Sequence, residues 1–578
     1  MNVSGKILLC IIVSSGLSAL RCGGAVYQSN GSAPSVQGLH NAALNGDTIT
    51  LPAGTFTWST PVTISKAIHL RGQGSGRIIG NTKSSVTIGT GAKTFITTRA
   101  GLPITAGQFL RIAKMPNSPG HPGPARDTYM EGTVTSYSGT TLVMNITSTG
   151  GSGTWKFWWI ATKPATTIVN NYNNGSGGNN SATPLIKVSQ SQAGSAEITG
   201  IQFRPTPSSF STMIGLFSSA YMVPKTVIHD CWFETGGGSE AAAIYAATNQ
   251  VLIWNCSFDD TFSQSSIAIQ PKAQGSIAVT SWSRNSTIGA VDTNGATNMY
   301  IEDCDFHGYQ DAVDFDDGTR TVFRHNVLDN SDFSSHGADT SGRGQRHVEI
   351  YDNELIFDIF SGDCATELPL QHFFWLRGGT AVITDNVIPR IQSQCAGTKG
   401  NIVFSVLNTR RNSGPYCCWE TYPAPHQVGM GYGPGAVFVP HISVCGPYSG
   451  FDYSYHLYAE PVYIWNNRGT AGNSVSLNQD ATDQCGIARQ VGDYVQAGRD
   501  YVIGAKPGYV KFTYPHPLTA SFPPPSPTPS ATACSQLQQR LDRLQRRQQR
   551  LQRRHRQNPR LNRRVKRIQL QLERQHCV

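Results

Sequence analysis

The stretch VIHDCWF at residues 227–233 contains a phrase that returns five times, as LIWNCSF (252–258), YIEDCDF (300–306), VFRHNVL (322–328), EIYDNEL (349–355) and VITDNVI (382–388). The same position of each phrase holds Cys231, Cys256, Cys304, Asn326, Asn353 and Asn386, at intervals of 25, 48, 22, 27 and 33 residues. If the interval of 48 is two turns of about 24, the chain repeats a unit whose length is typical of solenoid proteins.

Each unit contains a strand, because its apolar residues alternate with a period of two and are β-branched or aromatic. Strands that recur in one direction stack in parallel at about 4.8 Å per coil, and the recurrent Cys or Asn then forms a ladder in one turn. On this count Cys256 and Cys304 lie two coils apart, about 10 Å, which is too far for a disulfide.

The repeated phrase makes residues 35–515 resemble the secreted right-handed parallel β-helix proteins of the pectate lyase superfold, and in particular uncharacterised bacterial ones. The resemblance implies an all-β solenoid. A short amphipathic helix in residues 35–47 resembles the N-terminal cap of that fold, which covers the open end of the stack. Residues 493–502 and 514–518 resemble its closing segment. The domain that we expect from this resemblance covers residues 26–519.

Composition and targeting signals suit an exported protein. The 578 residues include 59 Gly and only 14% charged residues, as in turn-rich all-β chains. Residues 1–25 have the pattern of a secretory signal peptide, and no other apolar run is long enough to span a membrane. We therefore expect a secreted or periplasmic protein, in which disulfides are permitted. The cysteines Cys364, Cys395, Cys417, Cys418, Cys445 and Cys485 allow 15 pairings, among which the sequence does not choose.

The basic charge is confined to the C-terminal end. Residues 535–578 carry 14 Lys or Arg against Asp542 and Glu573, whereas the rest of the chain is nearly neutral. A Pro-rich linker at 520–533 precedes this tail. Apolar residues at helical spacing on both sides of Asn558-Pro559 predict a helical hairpin over 534–578, with a disulfide between Cys534 and Cys577. Its Arg-rich faces suit either oligomerisation or binding to an anionic surface or polyanion; sequence-specific nucleic-acid binding is disfavoured, because no aromatic residue lies among the arginines.

Residues 101–162 interrupt the early coils. Period-two alternation around a Ser-Gly turn predicts a β-hairpin pair, which resembles short β modules of phage tail-associated proteins. Trp155, Trp158 and Trp159 suit stacking on sugar rings, but tryptophans on such strands more often fill a small core.

One flank of the coils concentrates chemically active side chains. In residues 311–318, Val313 and Phe315 point inward, so that Asp314 and Asp316 point outward about 7 Å apart. Counting from the ladder places Asp339 and Arg343, and then Trp375 and Arg377, near the same strip.

Two reactions fit these residues. In a polysaccharide lyase acting on a uronate glycan, Asp314, Asp316 and Asp339 hold Ca²⁺, Arg343 or Arg346 is the base, and Arg377 clamps the substrate carboxylate, with Trp375 beside it. In a glycoside hydrolase, one carboxylic acid protonates the leaving oxygen while a second carboxylate activates water. Asp316-Asp317 followed by Ser335-His336-Gly337 resembles the paired-Asp and His-Gly elements of polygalacturonases, and this resemblance implies roles for Asp317 and His336. That family's Asn-Thr-Asp and Arg-Ile-Lys elements are absent, which favours the lyase.

Two further interpretations stay open. Outward Asp and Arg are what any solvated strand face displays, and Asp with Gly at 316–318 is ordinary turn chemistry. Parallel β-helices also serve as non-catalytic adhesins, so a surface protein that binds glycans or polyanions is the alternative to an enzyme.

Overall fold

The computed structural model describes residues 24–114, 128–156, 158–172, 184–206, 212–217, 226–235, 242–260, 267–273, 281–282, 284–309, 311–316, 318–329, 331–335, 345–358, 376, 378–388, 391–392, 428–433, 456–469, 475, 495–523 and 545. The predicted basic hairpin, the six cysteines of the late coils and nearly all of the predicted signal peptide lie outside these ranges.

Three long parallel sheets wind around one core, as a right-handed parallel β-helix requires. Sheet A contains Val26–Gln28, Thr48–Thr50, His69–Arg71, Ala196–Thr199, Thr226–His229, Val251–Trp254, Met299–Glu302, Arg320–Arg324, His347–Tyr351, Thr380–Thr384, Val462–Trp465 and Tyr501–Ile503. Sheet B contains Gly54–Trp58, Thr166–Asn170, Ile201–Pro205, Trp232–Thr235, Ser257–Asp260, Asp305–His307, Val327–Asp329, Glu354–Asp358, Val387–Ile388, Arg468–Gly469 and, off the main path, Ile391–Gln392. Sheet C contains Val62–Ile64, Ile186–Val188, Ile214–Leu216, Ile244–Ala246, Ile267–Pro271, Asp311–Asp314 and Asp332–Ser334. The predicted fold class is therefore confirmed.

We number the coils by their sheet A strands, from coil 1 at Thr48–Thr50 to coil 11 at Tyr501–Ile503. Inside the coils, identical side chains stack at the spacing of the strands. The rings of Phe203, Phe233, Phe258 and Phe306 follow one another with centroids 5.0, 4.9 and 4.8 Å apart and almost parallel planes. This stack lines the sheet B wall of a core from which water is excluded.

The repeated phrase forms the corner between sheets A and B. Its fourth residue lies in the left-handed region, with φ between 52° and 59° at Asp230, Asn255, Asp303, His325, Asp352, Asp385 and Asn466. Asp, Asn and His are the side chains that best tolerate this backbone, which explains their recurrence. The residue that follows points into the core.

Stacked asparagines at that next position satisfy the backbone of the corner. The amide of Asn326 donates to Asn353 Oδ1 at 2.9 Å, and that of Asn353 donates to Asn386 Oδ1 at 3.1 Å. Each side-chain amide also donates to a backbone carbonyl, as Asn353 does to Phe323 O at 3.0 Å. The predicted ladder is confirmed and has one further member, Asn467, which accepts from the Asn386 amide at 3.1 Å.

The predicted spacing of Cys256 and Cys304 is wrong. Strand Val251–Trp254 pairs directly with Met299–Glu302, so these cysteines lie on adjacent coils. The interval of 48 residues is one coil enlarged by an excursion, whose residues Ser281 and Arg284 lie outside sheet A and accept hydrogen bonds from Arg320. The three described cysteines are free and buried.

The N-terminal cap is a helix from Ala33 to Ala42, a little earlier than residues 35–47. The Ser32 side chain caps it by accepting from the Ser35 amide, and Pro34 lies in its first turn. Ala33 and Val36 are buried in the core of the β-helix, and the helix contacts the coil 1 strands of sheets A and C. The helix therefore closes the core at this end.

An antiparallel sheet is inserted in coil 2, between its sheet A and sheet B strands. Its strands are Ile78–Thr82, Gly91–Ile96, Phe109–Lys114, Tyr129–Ser138, Thr141–Gly150 and Trp158–Ala161, beside a short pair, Val86–Thr87 with Thr154–Trp155. This accessory sheet begins earlier than the predicted insertion 101–162. Trp158 and Trp159 are buried, whereas Trp155 is partly exposed beneath Lys114, 3.5 Å from its ring centroid.

Two flanks of the β-helix are covered. The accessory sheet lies on sheet B, where Trp159 contacts His307 with ring centroids 3.8 Å apart. Residues 505–523, which include the 3-10 turn Pro517–Ser521, lie across sheet A. A second 3-10 turn, Gly289–Val291, belongs to the coil 5 excursion, and the hairpin Met430–Gly433 with His456–Ala459 lies between coils 9 and 10. In the described parts of the chain, no helix is long and apolar enough to cross a membrane.

Candidate functional site

The described part of the predicted strip is Asp314 and Asp316, which lie on coil 6 at the outer face of sheet C. Val313 and Phe315 are part of the hydrophobic core, as the period-two alternation predicts. Asp314 and Asp316, which alternate with them, therefore project from the opposite face. Neither carboxylate is open to solvent, since each side chain belongs to a residue that is only 1% exposed.

Asp314 lies between two neutral hydrogen-bond donors on the neighbouring coils. Gln270 Nε2 donates to Asp314 Oδ2 at 3.2 Å from coil 5, and Ser334 Oγ donates to Asp314 Oδ1 at 3.3 Å from coil 7. The pairing of strand Asp311–Asp314 with both neighbours brings these three residues into one row. The row therefore depends on the register of three coils.

Asp316 has a cationic partner. Lys272 Nζ lies 2.7 Å from Asp316 Oδ2, and a β-bridge joins the two residues across coils 5 and 6. The Asp316 amide also donates to Pro271 O at 2.9 Å, which fixes the backbone at this point. The lysine side chain is 29% exposed and the aspartate side chain 1%, so the ion pair connects a buried carboxylate with the surface.

Sequence reasoning missed Lys272. Because the interval of 48 residues was interpreted as two coils, Lys272 and Asp316 were not expected on neighbouring strands. The sequence did contain a signal. Residues 271–273 (PKA) and 315–317 (FDD) occupy equivalent positions once the strands Ile267–Pro271 and Asp311–Asp314 are assigned to adjacent coils.

Arg346, one of the two predicted bases, lies at the corner between sheets C and A. It is fully buried, and each guanidinium nitrogen already donates: Nη1 to Glu460 at 2.7 Å, Nη2 to Tyr458 OH at 3.0 Å and Nε to Arg284 O at 3.2 Å. These bonds join the coil 5 excursion to the hairpin that contains Tyr458. The geometry is that of a structural cross-link, and the role of a base stays a prediction for this residue.

The remaining predicted site residues lie outside the described parts of the chain; they are Asp317, His336, Asp339, Arg343, Trp375 and Arg377. The described residues contain no group of three or more His, Cys, Asp or Glu side chains arranged to hold a metal ion. Asp316 binds an ammonium group and Asp314 accepts from Gln270 and Ser334, and the third predicted ligand, Asp339, lies outside the described residues, so the Ca²⁺ site stays a prediction.

The two aspartates can nevertheless have different chemical roles. They lie two residues apart, a spacing of about 7 Å in an extended chain, and Asp316 has a cationic partner in Lys272. Pairs of carboxyl groups in unlike environments are the usual basis for a division between a proton donor and an ionised base. The arrangement is thus compatible with acid–base chemistry and with simple packing of a polar face.

Comparisons with known proteins leave the family open. No family model matches the chain, and no curated protein matches it. Solved structures that match include three phage tailspikes, each aligned over 65% of this chain. They are the gp61 tailspike of Pseudomonas phage phi297 (12% identity, 64% of that chain, TM-score 0.15), the Gp54 tailspike of Acinetobacter baumannii bacteriophage AP22, solved with A. baumannii capsular saccharide (12%, 62%, 0.18), and the gp49 tailspike of Pseudomonas phage LKA1 (9%, 66%, 0.16). The chain spans slightly less than two thirds of each tailspike. At these TM-scores no argument rests on the likeness, and the strand pairing carries the assignment of the β-helix.

Proposed function

We propose that this protein binds a polysaccharide along the outer face of sheet C and cleaves it by hydrolysis at Asp314 and Asp316. The observation that carries the proposal is a pair of buried carboxylates two residues apart: Asp316 is ion-paired with Lys272, and Asp314 accepts hydrogen bonds from Gln270 and Ser334. A flank built from successive coils presents side chains in rows, which suits a repeating polymer.

In this proposal Asp314 is the general acid and Asp316 the general base. Burial favours the protonated form of a carboxyl group, whereas an adjacent cation, such as the Lys272 ammonium beside Asp316, favours the ionised form. The protonated Asp314 donates to the glycosidic oxygen, while the ionised Asp316 removes a proton from water. Their separation of about 7 Å lies within the range of roughly 6.5–9.5 Å that leaves room for that water and inverts the anomeric centre.

Burial is the main argument for the competing, structural interpretation. Both aspartates are closed off from solvent, and a catalytic role requires that a substrate can reach them. On the structural interpretation, Asp314 and Asp316 only connect the coils. Binding and cleavage must therefore be measured separately.

Lys272 favours a second candidate reaction, the β-elimination of a uronate polymer. Its ammonium group, partly exposed beside the strip, is placed where it could neutralise a substrate carboxylate. Neutralisation makes the adjacent C5 proton more acidic, and removal of that proton expels the glycosidic oxygen. The predicted Arg343 and Arg377 belong to this candidate.

The test is a panel of neutral and uronate polysaccharides incubated with the purified full-length protein, with and without Ca²⁺ and with a chelator. Hydrolysis releases reducing ends without ultraviolet absorbance, whereas elimination creates a double bond that absorbs in the ultraviolet. Asp314→Asn and Asp316→Asn should each lower the rate by at least about a hundredfold.

Asp352→Asn is the matched control, because it makes the same change on the sheet A side of the β-helix and should leave the rate unchanged. Binding without any cleavage would overturn the enzymatic proposal and leave a glycan-binding surface protein. If no polymer on the panel binds, the strip has a structural role only.

A further inference from the structure

The C-terminal segment 505–523 turns back along the outside of the β-helix. Tyr509 contacts Trp465 of coil 10 with ring centroids 5.5 Å apart, and Phe522 reaches Trp254 of coil 5 and His69 of coil 2, at 6.5 and 5.9 Å. The segment, which we call the strap, thus runs over most of the length of sheet A. It carries Lys506, Lys511 and His516 and no acidic residue.

The strap meets a row of carboxylates. Lys511 Nζ lies 2.8 Å from Asp352 and 2.6 Å from Asp385, and so joins coils 8 and 9. Tyr509 donates to Glu349 at 2.7 Å, and Tyr514 donates to Asp303 at 2.5 Å. This row, which we call the rail, consists of Glu302, Asp303, Glu349, Asp352 and Asp385.

Backbone groups of the strap are bound as well. Arg324, fully buried, donates to Phe512 O at 2.8 Å and to Thr513 O at 2.9 Å. The His516 amide donates to Glu302 Oε1 at 2.9 Å. Recognition of main-chain atoms selects an extended segment at a fixed register, and the aromatic rings of the strap supply the apolar contacts.

Three rail residues come from the motif that determines the corner. Asp303, Asp352 and Asp385 occupy the left-handed position of the repeated phrase, where Asn fits the backbone equally well. Backbone geometry explains why the position is Asp or Asn; it does not explain why these three coils carry a charge. At these three positions the carboxylate contacts cationic or hydroxyl groups of the strap, whereas Asp230, at the same position of an earlier coil, pairs with His229.

We propose that the rail is a docking surface whose occupant is the chain's own strap, and that the strap detaches and rebinds as one unit while the β-helix stays folded. Lys511 and its two aspartates are one quarter to one third exposed, so this connection opens more readily than the buried asparagine ladder. Elements that open below the global unfolding free energy are those with partly exposed contacts.

Hydrogen exchange of the full-length protein tests this. In the double variant Asp352→Asn, Asp385→Asn, amide exchange in peptides covering 505–516, including the His516 amide, should accelerate roughly tenfold, because two partly exposed ion pairs are lost. Exchange in peptides covering 349–355 should not change. Glu354→Gln is the matched control: it removes a carboxylate from the same coil, but one that pairs with Arg99 of the accessory sheet.

Two results would overturn the proposal. If exchange accelerates equally in the strap and in sheet A, the strap opens only when the β-helix unfolds. If the strap's exchange is unchanged, the charges of the rail do not hold it. Lys511→Gln should reproduce the double variant, and Asn is compatible with the left-handed backbone, so loss of folding does not complicate the comparison.

Discussion

The two sides of the coil differ in how sequence relates to structure. At the corner between sheets A and B, one short phrase repeats, and seven residues share the same left-handed backbone. On the sheet C side, the number of residues between successive coils varies, and the described coils supply different side chains. The regular corner sets the register, whereas the irregular side places Gln270, Asp314 and Lys272 together.

This difference indicates where the molecule tolerates change. An asparagine of the ladder has a neighbour above and below, so its loss affects two coils. The candidate strip contains pairs such as Lys272 and Asp316, which have one partly exposed member. Substitutions at the corner should therefore cost stability, and substitutions in the strip should cost activity.

The largest effect is expected from Asn353→Ala at the corner. Asn353 Oδ1 accepts from the Asn326 amide, and Nδ2 donates to Phe323 O and to Asn386 Oδ1, all inside a buried corner. Removing the side chain takes this partner from two backbone groups of coil 7, the Asn326 amide and the Phe323 carbonyl, and one donor from the Asn386 side chain of coil 9, which should lower the free energy of unfolding by about 3 kcal/mol. Chemical denaturation followed by circular dichroism measures this loss.

Glu354→Gln, at the next residue, is the control, and its surface ion pair should contribute less than about 1 kcal/mol. Equal losses in the two variants would contradict the special role of the ladder.

The fold could be predicted from the sequence because the corner between sheets A and B requires particular residue types at consecutive positions. Each coil by itself shows the pattern of a residue suited to the left-handed backbone followed by an inward Asn or Cys. The repeated phrase therefore predicted the β-helix from this one sequence. It missed Asn467, although Trp465-Asn466-Asn467 satisfies the same demands, because 81 residues separate Asn467 from Asn386. The long interval was the reason that Asn467 was missed, since its local sequence fits the repeated phrase.

The candidate site was less predictable, for a physical reason. The alternation along one strand placed Asp314 and Asp316 outward, since it depends only on local geometry. Their partners come from neighbouring coils, whose register the alternation does not give. Because the interval between Cys256 and Cys304 was counted as two coils, Lys272 was not predicted to lie in the site. The strap has no periodic signal at all, because Arg324 binds its backbone carbonyls 188 and 189 residues away.

A pH-dependent change in the free energy of unfolding, of intermediate size, is expected from Glu349, which lies beneath the strap. Burial raises the pKa of Glu349 to about 7, although hydrogen bonds from the Gly289 amide and the Tyr509 hydroxyl oppose the shift. Because the folded pKa exceeds the ordinary value, the protonated form favours folding, and stability falls as the pH rises from about 4.5 to 7.

Glu349→Gln is neutral at every pH and should not show this fall. The difference between the unfolding free energies of the wild type and the variant should therefore change by about 2 kcal/mol between pH 5 and pH 7. Urea titrations at several pH values measure it. A constant difference would mean that Glu349 does not change its protonation in this interval.

The smallest effect on stability is expected from Asp316→Asn in the strip. The variant leaves Lys272 without its carboxylate, but the lysine side chain is 29% exposed and can be solvated. Asparagine retains the volume of Asp316 and an acceptor oxygen, so the unfolding free energy should fall by only about 1 kcal/mol. The converse variant Lys272→Met should cost more, about 2 kcal/mol, because it removes the ammonium group beside a carboxylate that stays buried. Thermal unfolding of both proteins measures this asymmetry. Losses of similar size would mean that Asp316 is not a buried charge, and its assignment as the ionised base would then lose its support.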